Sequence, residues 1–78
     1  MATRFLSHPD QSVLLADLAN AGFVFDSPEP FQVIHHEGND AIYLGQIDEN
    51  FCANVTACEG ITFTTEIEAP ETPYNRFA

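Results

Sequence analysis

Hydrophobic and polar positions along this chain follow a helical period first and a strand period afterwards. From Gln11 to Ala21, Leu14, Leu18 and Ala21 recur at i, i+4 and i+7, and Leu15 and Ala19 widen the stripe. That spacing predicts an amphipathic helix with one core-facing side. Ser7 and Asp10 have the spacing of a capping box, and Pro9 is tolerated only in a first turn. Gly22 is placed as a left-handed stop, with Phe23 folding back on Leu18. Met1 to Leu6 reads as a short lead-in, an edge strand or a segment that packs Phe5 on the core.

The second half alternates instead. Phe31 to Ile47, FQVIHHEGNDAIYLGQI, places two apolar runs around Glu37-Gly38-Asn39-Asp40, a cluster of turn formers, and so predicts a β-hairpin. A turn centred on Gly38 and Asn39 sets Val33 opposite Leu44, Ile34 opposite Tyr43 and His35 opposite Ile42. Phe31, Val33, Ile42 and Leu44 then share one face, while Ile34, Tyr43 and Ile47 share the other. Phe51 to Cys58 fits a third strand, with Phe51, Ala53, Val55 and Ala57 on one side, but its small residues also suit a short helix or an ordered loop. Ile61 to Glu68 predicts a half-buried strand with Ile61, Phe63, Thr65 and Ile67 inward. Asp26-Ser27-Pro28-Glu29-Pro30 is an extended connection, because two prolines in three residues forbid helix.

These elements predict an α+β domain over residues 1–70, with residues 71–78 as a C-terminal tail that carries Tyr74 and Phe77. One N-terminal helix packs on a three- to four-stranded, mostly antiparallel sheet. The sheet face left bare by the helix is expected to carry Ile34 and Tyr43, an apolar patch suited to a partner or to a homodimer, unless the chain's own ends cover it.

Charge changes the picture most. Twelve carboxylates stand against two basic residues, for a formal net charge of −10. There is no lysine, and the bases are Arg4 and Arg76, near the two ends. Self-repulsion of this kind lowers stability and is relieved by salt. It also excludes direct binding to nucleic acid or to an anionic membrane, and it favours a basic protein surface or a cation. Acidity of this kind also serves solubility alone, in high-salt cytoplasms above all. The 45% apolar content with seven Phe argues for a folded chain over a disordered one.

Candidate chemistry is sparse. His35 and His36 point to opposite faces of a strand, so they cannot ligate one ion together. Cys52 and Cys58 have the spacing C-x5-C, which matches no common zinc or redox pattern. On a continuous strand their thiols would lie on one face roughly 20 Å apart, too far for a disulfide. Ser7-His8 is the one close hydroxyl and base pair, and capping accounts for the serine. No nucleophile elbow and no phosphate-cradling glycine loop is present. The expectation is a protein without catalytic residues, cofactor or metal. Asn54-Val55-Thr56 matches the glycosylation sequon. However, Met1 to Ser7 lacks the apolar stretch of a signal peptide, and no run approaches the roughly 18 apolar residues of a membrane span. The chain therefore reads as soluble and cytoplasmic, and the sequon as chance.

In size, acidity and absence of catalytic residues, the chain resembles the small phage-encoded inhibitors that occupy nucleic-acid sites on host enzymes, including anti-CRISPR and anti-restriction proteins. That resemblance implies an anionic surface mimicking DNA in the host cytoplasm and offered to a basic, nucleic-acid-binding complex. It assigns no residue. The carboxylates best placed for such a surface are Asp40, Asp48, Glu49, Glu66 and Glu68. The last two stand about 6.6 Å apart by strand rise. The alternative is a structural or assembly subunit that docks through Ile34 and Tyr43.

Overall fold

The computed structural model describes residues 3–68. The elements run β1 (Thr3–His8), α1 (Gln11–Asn20), β2 (Gln32–His36), β3 (Asn39–Ile47), β4 (Asn50–Thr56) and β5 (Glu66–Ile67). All strand pairings are antiparallel, and the sheet order is β2-β3-β4-β1-β5. The architecture is the expected α+β one, with one helix packed on a sheet that has five strands among the described residues. The expected tail, residues 71–78, lies outside them.

The lead-in is an interior strand. Ser7 pairs with Cys52 in the ladder, and its N–H donates to Thr65 O, so it is not free to cap the helix. Asp10 does that instead, accepting from Ser12 N at 2.9 Å. This is an ordinary carboxylate cap at the positive end of the helix. The helix closes as expected. Gly22, at φ 97, follows the cap residue Ala21; its N–H donates to Ala19 O and that of Phe23 to Leu18 O. This is a Schellman motif, with Phe23 and Leu18 both fully buried. A side chain at Gly22 would strike the His36 ring, so the stop also seats the helix end against β2.

The hairpin turn falls one residue earlier than the sequence suggested. Glu37 (φ 50) and Gly38 (φ 82) form it, with His36 opposite Asn39 and Val33 opposite Ile42. Two consecutive residues with positive φ define a type I′ turn, whose twist matches that of the strands. The slip from the expected register is two residues, so the division into faces survives. The exception is Ile47. A bulge between Tyr43 and Gly45 reverses the alternation, and Ile47 packs with Ile42, Leu44 and Cys52.

Which face the helix covers is the main correction. Leu14 and Leu18 pack on Leu6, Ala41, Tyr43, Ala53 and Val55, with Phe23 and Phe25 beside them and Ile34 and Phe51 at the margin. Tyr43 is 2% exposed, and its hydroxyl accepts from Gln11 Nε2 at 2.8 Å. Ile34 and Tyr43 are therefore part of the core and not an outer interface. Ala41 and Ala53 supply the room, since small residues at the sheet centre let the helix and two phenylalanines approach.

The strand expected over Ile61–Glu68 shrinks to two residues. Asp17, buried on the helix, accepts from Thr64 N (3.0 Å), Thr64 Oγ1 (3.3 Å), Thr65 N (2.9 Å) and Thr65 Oγ1 (2.6 Å). Backbone donors that a ladder would use go to a carboxylate instead, and the chain turns there.

Candidate binding surface

Arg4 projects from β1 on the helix side of the sheet. Its guanidinium grips Glu66 through Nε (3.0 Å, Oε2) and Nη2 (2.6 Å, Oε1), donates from Nη1 to Cys58 O at 2.8 Å, and stacks 4.8 Å above the Phe63 ring. The fork is bidentate. The hydrogen bond from Arg4 holds the Glu66 carboxyl below its ordinary range. Because the pair lies at the surface and is partly solvated, Glu66→Gln is expected to cost about 1 kcal/mol or less in chemical denaturation. Glu66 is thus an internal partner, and Arg4 is the one fixed side-chain cation among the described residues.

The other proposed carboxylates are divided by the sheet. Asp40 is the second residue of β3, where its Oδ1 lies 2.6 Å from His35 Nδ1. Asp48 and Glu49 form the exposed β3–β4 turn at the opposite end. Eight residue steps along the strand separate Asp40 from Asp48, roughly 25 Å. Glu68 lies at the β5 edge beside Ile67. The five residues do not form one array. Asp48 flanks the sheet face turned away from the helix, Glu68 lies at its β5 edge, and Asp40 faces His35.

That face carries Ile42 and Leu44, which the sequence grouped on one apolar surface but not on the bare one. Ile42, Leu44 and Cys52 form a second, smaller apolar cluster with Ile47 against it. Phe5 and Ile67, opposed across β1 and β5, continue it toward the edge. Between them is a pocket of ≈ 190 Å³, lined by Phe5, Leu44, Ile47, Cys52 and Ile67, by Ser7, Asn50 and Asp48, and by Asn54. Asn54 sits mid-strand, opposite Phe5 on one side and Ile42 on the other. It is 2% exposed, and its Nδ2 has no hydrogen-bond partner. A buried donor left without an acceptor costs about 1–3 kcal/mol. The signal was in the sequence, because Asn54 interrupts the otherwise apolar centre of β4, but it was absorbed into the sequon. Burial at 2% also keeps Asn54 from a glycosylating enzyme in the folded chain.

The cysteines part company. Ala57 (φ 63) and Cys58 (φ 52) turn the chain after β4. Cys58 therefore drops into the main core and Cys52 stays in the outer cluster. Both are free. Burial raises both thiols above their ordinary value, which works against thiolate chemistry at either. Among the described residues, no group of three or more His, Cys, Asp or Glu is arranged to hold a metal ion, and no helix is long and apolar enough to cross a membrane.

No protein-family model, curated protein or solved structure matches this chain.

Proposed function

We propose that this chain is a non-catalytic acidic binding protein that engages the basic surface of a nucleic-acid-binding protein or complex. One observation carries the proposal: a net charge of −10 without lysine, on a fold that ties Arg4, the single described fixed cation, to Glu66. The described surface offers carboxylates at both ends of the sheet and no free guanidinium to balance them. A Lys/Arg groove built for phosphate binds such a surface for the same electrostatic reason. In its fuller form the proposal is an inhibitor of phage or mobile-element origin, acting in the host cytoplasm by occupying a DNA site. The separation of Asp40 from Asp48 and Glu49 makes the contact a broad one that spans the sheet.

Immobilised chain exposed to a bacterial lysate and eluted with a salt gradient tests this. Nucleic-acid-binding proteins released at moderate salt, and displaced by duplex DNA, are the expected result. Partners indifferent to DNA would remove the proposal. The same charge predicts that the melting temperature rises by several degrees between low and molar salt, as repulsion is screened. Differential scanning calorimetry reads that shift directly.

A further inference from the structure

We propose that the pocket on the sheet face turned away from the helix receives a basic, extended protein segment, with one apolar side chain seated in the pocket. This inference rests on the basic-partner reading and names where that partner docks. Three features of the pocket define the occupant. Its volume of ≈ 190 Å³ is below the about 300 Å³ at which cofactor and small-molecule sites begin, and it suits a single large side chain. Its walls, Phe5, Leu44, Ile47, Cys52 and Ile67, call for that side chain to be apolar.

The second feature is the Asn54 amide, buried beneath the pocket with no acceptor. An extended segment carries a carbonyl oxygen at every residue, and once a lining side chain gives way to uncover the amide nitrogen, which is sealed in the free chain, it brings the missing acceptor. The third is charge. Asp48 lines the pocket itself, Glu68 stands at the β5 edge, and the one described fixed cation is engaged with Glu66 on the helix side. Basic residues flanking the apolar anchor are therefore attracted, and an acidic partner is repelled. A second copy of this chain meets that repulsion in full.

The test uses the full chain and two synthetic pentapeptides at low salt. One alternates arginine with leucine, and the other replaces each leucine with glycine at equal charge. With the arginine–leucine peptide, the Asn54 side-chain amide resonances shift saturably. Alkylation of Cys52 slows several-fold, while Cys58, sealed in the main core, serves as the reference. Asp48→Asn, which suits the left-handed turn position, weakens binding several-fold. Ile67→Ser, at an exposed edge, reduces the preference for leucine over glycine. Equal binding of the glycine peptide, or shifts confined to Glu37, Asp40 and Glu59, would overturn this inference and leave the basic-partner reading standing. Binding of neither peptide would remove both. Contacts from Tyr74 or Phe77 to Leu44 before peptide is added would make the chain's own C-terminal segment the occupant, again overturning it. Concentration-dependent shifts of the free chain at Asn54 would do so in favour of a second copy.

Discussion

Asp17→Asn is expected to lower the free energy of unfolding by about 3–5 kcal/mol, measured by urea denaturation. The carboxylate accepts four hydrogen bonds from Thr64 and Thr65, whereas an amide has one oxygen and would turn an N–H₂ toward two of those donors. A domain of this size has only about 4–12 kcal/mol in total, so the variant stands near the limit of folding. Burial pushes the Asp17 carboxyl up, but the hydrogen bonds from Thr65 and Thr64 outweigh it and leave the group below its ordinary value. Its contribution is therefore complete at pH values above the unfolded carboxyl range, and it is lost as pH falls through the lowered folded value. Wild type is expected to lose stability on acidification through that window, and Asp17→Asn to show a flatter profile there. Parallel profiles would mean that Asp17 is not the group responsible.

Asn54→Leu is expected to act in the opposite direction, raising the free energy of unfolding by about 1–2 kcal/mol. Leucine has the same number and branching of side-chain heavy atoms, removes the unpartnered donor, extends the apolar cluster of Ile42, Leu44 and Cys52, and places its extra volume in the adjoining pocket. The same variant should bind partner more weakly, because it removes the polar group that an incoming carbonyl would satisfy. A more stable protein with weaker binding is the signature of a residue kept for contact. Thermal melts together with the peptide titration would show it. A drop in stability would instead show that the amide already has an acceptor or that the larger side chain does not fit.

Most of the architecture was legible in local signals. The Leu14–Leu18–Ala21 stripe, the Gly22 stop and the two-faced hairpin follow from periodicity and turn chemistry; the first two stand as read, and the hairpin stands with its register slipped by two residues and Ile47 on the other face. What failed did so for long-range reasons. Ser7 has good capping chemistry, but its backbone is already committed to β4 and to Thr65, forty-five or more positions away in sequence. Ile61 to Thr65 alternates like a strand, yet Asp17 takes the donors that a strand would spend on its neighbour. Both faces of the hairpin are apolar, so pattern alone could not choose which one the helix covers. Ala41 and Ala53 decide it by leaving room. The bulge before Gly45 moves Ile47 across the sheet, and its one local mark is Gly45 itself, an isolated glycine at φ 83 within a strand. The binding surface was the least legible part. Charge was visible at once as a total, but its division between the two ends of the sheet depends on pairing register. Asn54 gains its meaning only when Phe5 and Ile42 are seen to flank it.

The central claim, that the chain's carboxylates hold a basic partner, with Asp48 beside the apolar sheet face turned away from the helix, is tested most directly by equilibrium affinity as a function of salt. The partner is one recovered from the lysate capture, measured with wild type and with an Asp48→Asn/Glu49→Gln double variant. The account predicts that log affinity falls steeply and linearly with log salt, and that the double variant is weaker with a shallower slope. An affinity that is flat with salt, or a double variant indistinguishable from wild type, would contradict it.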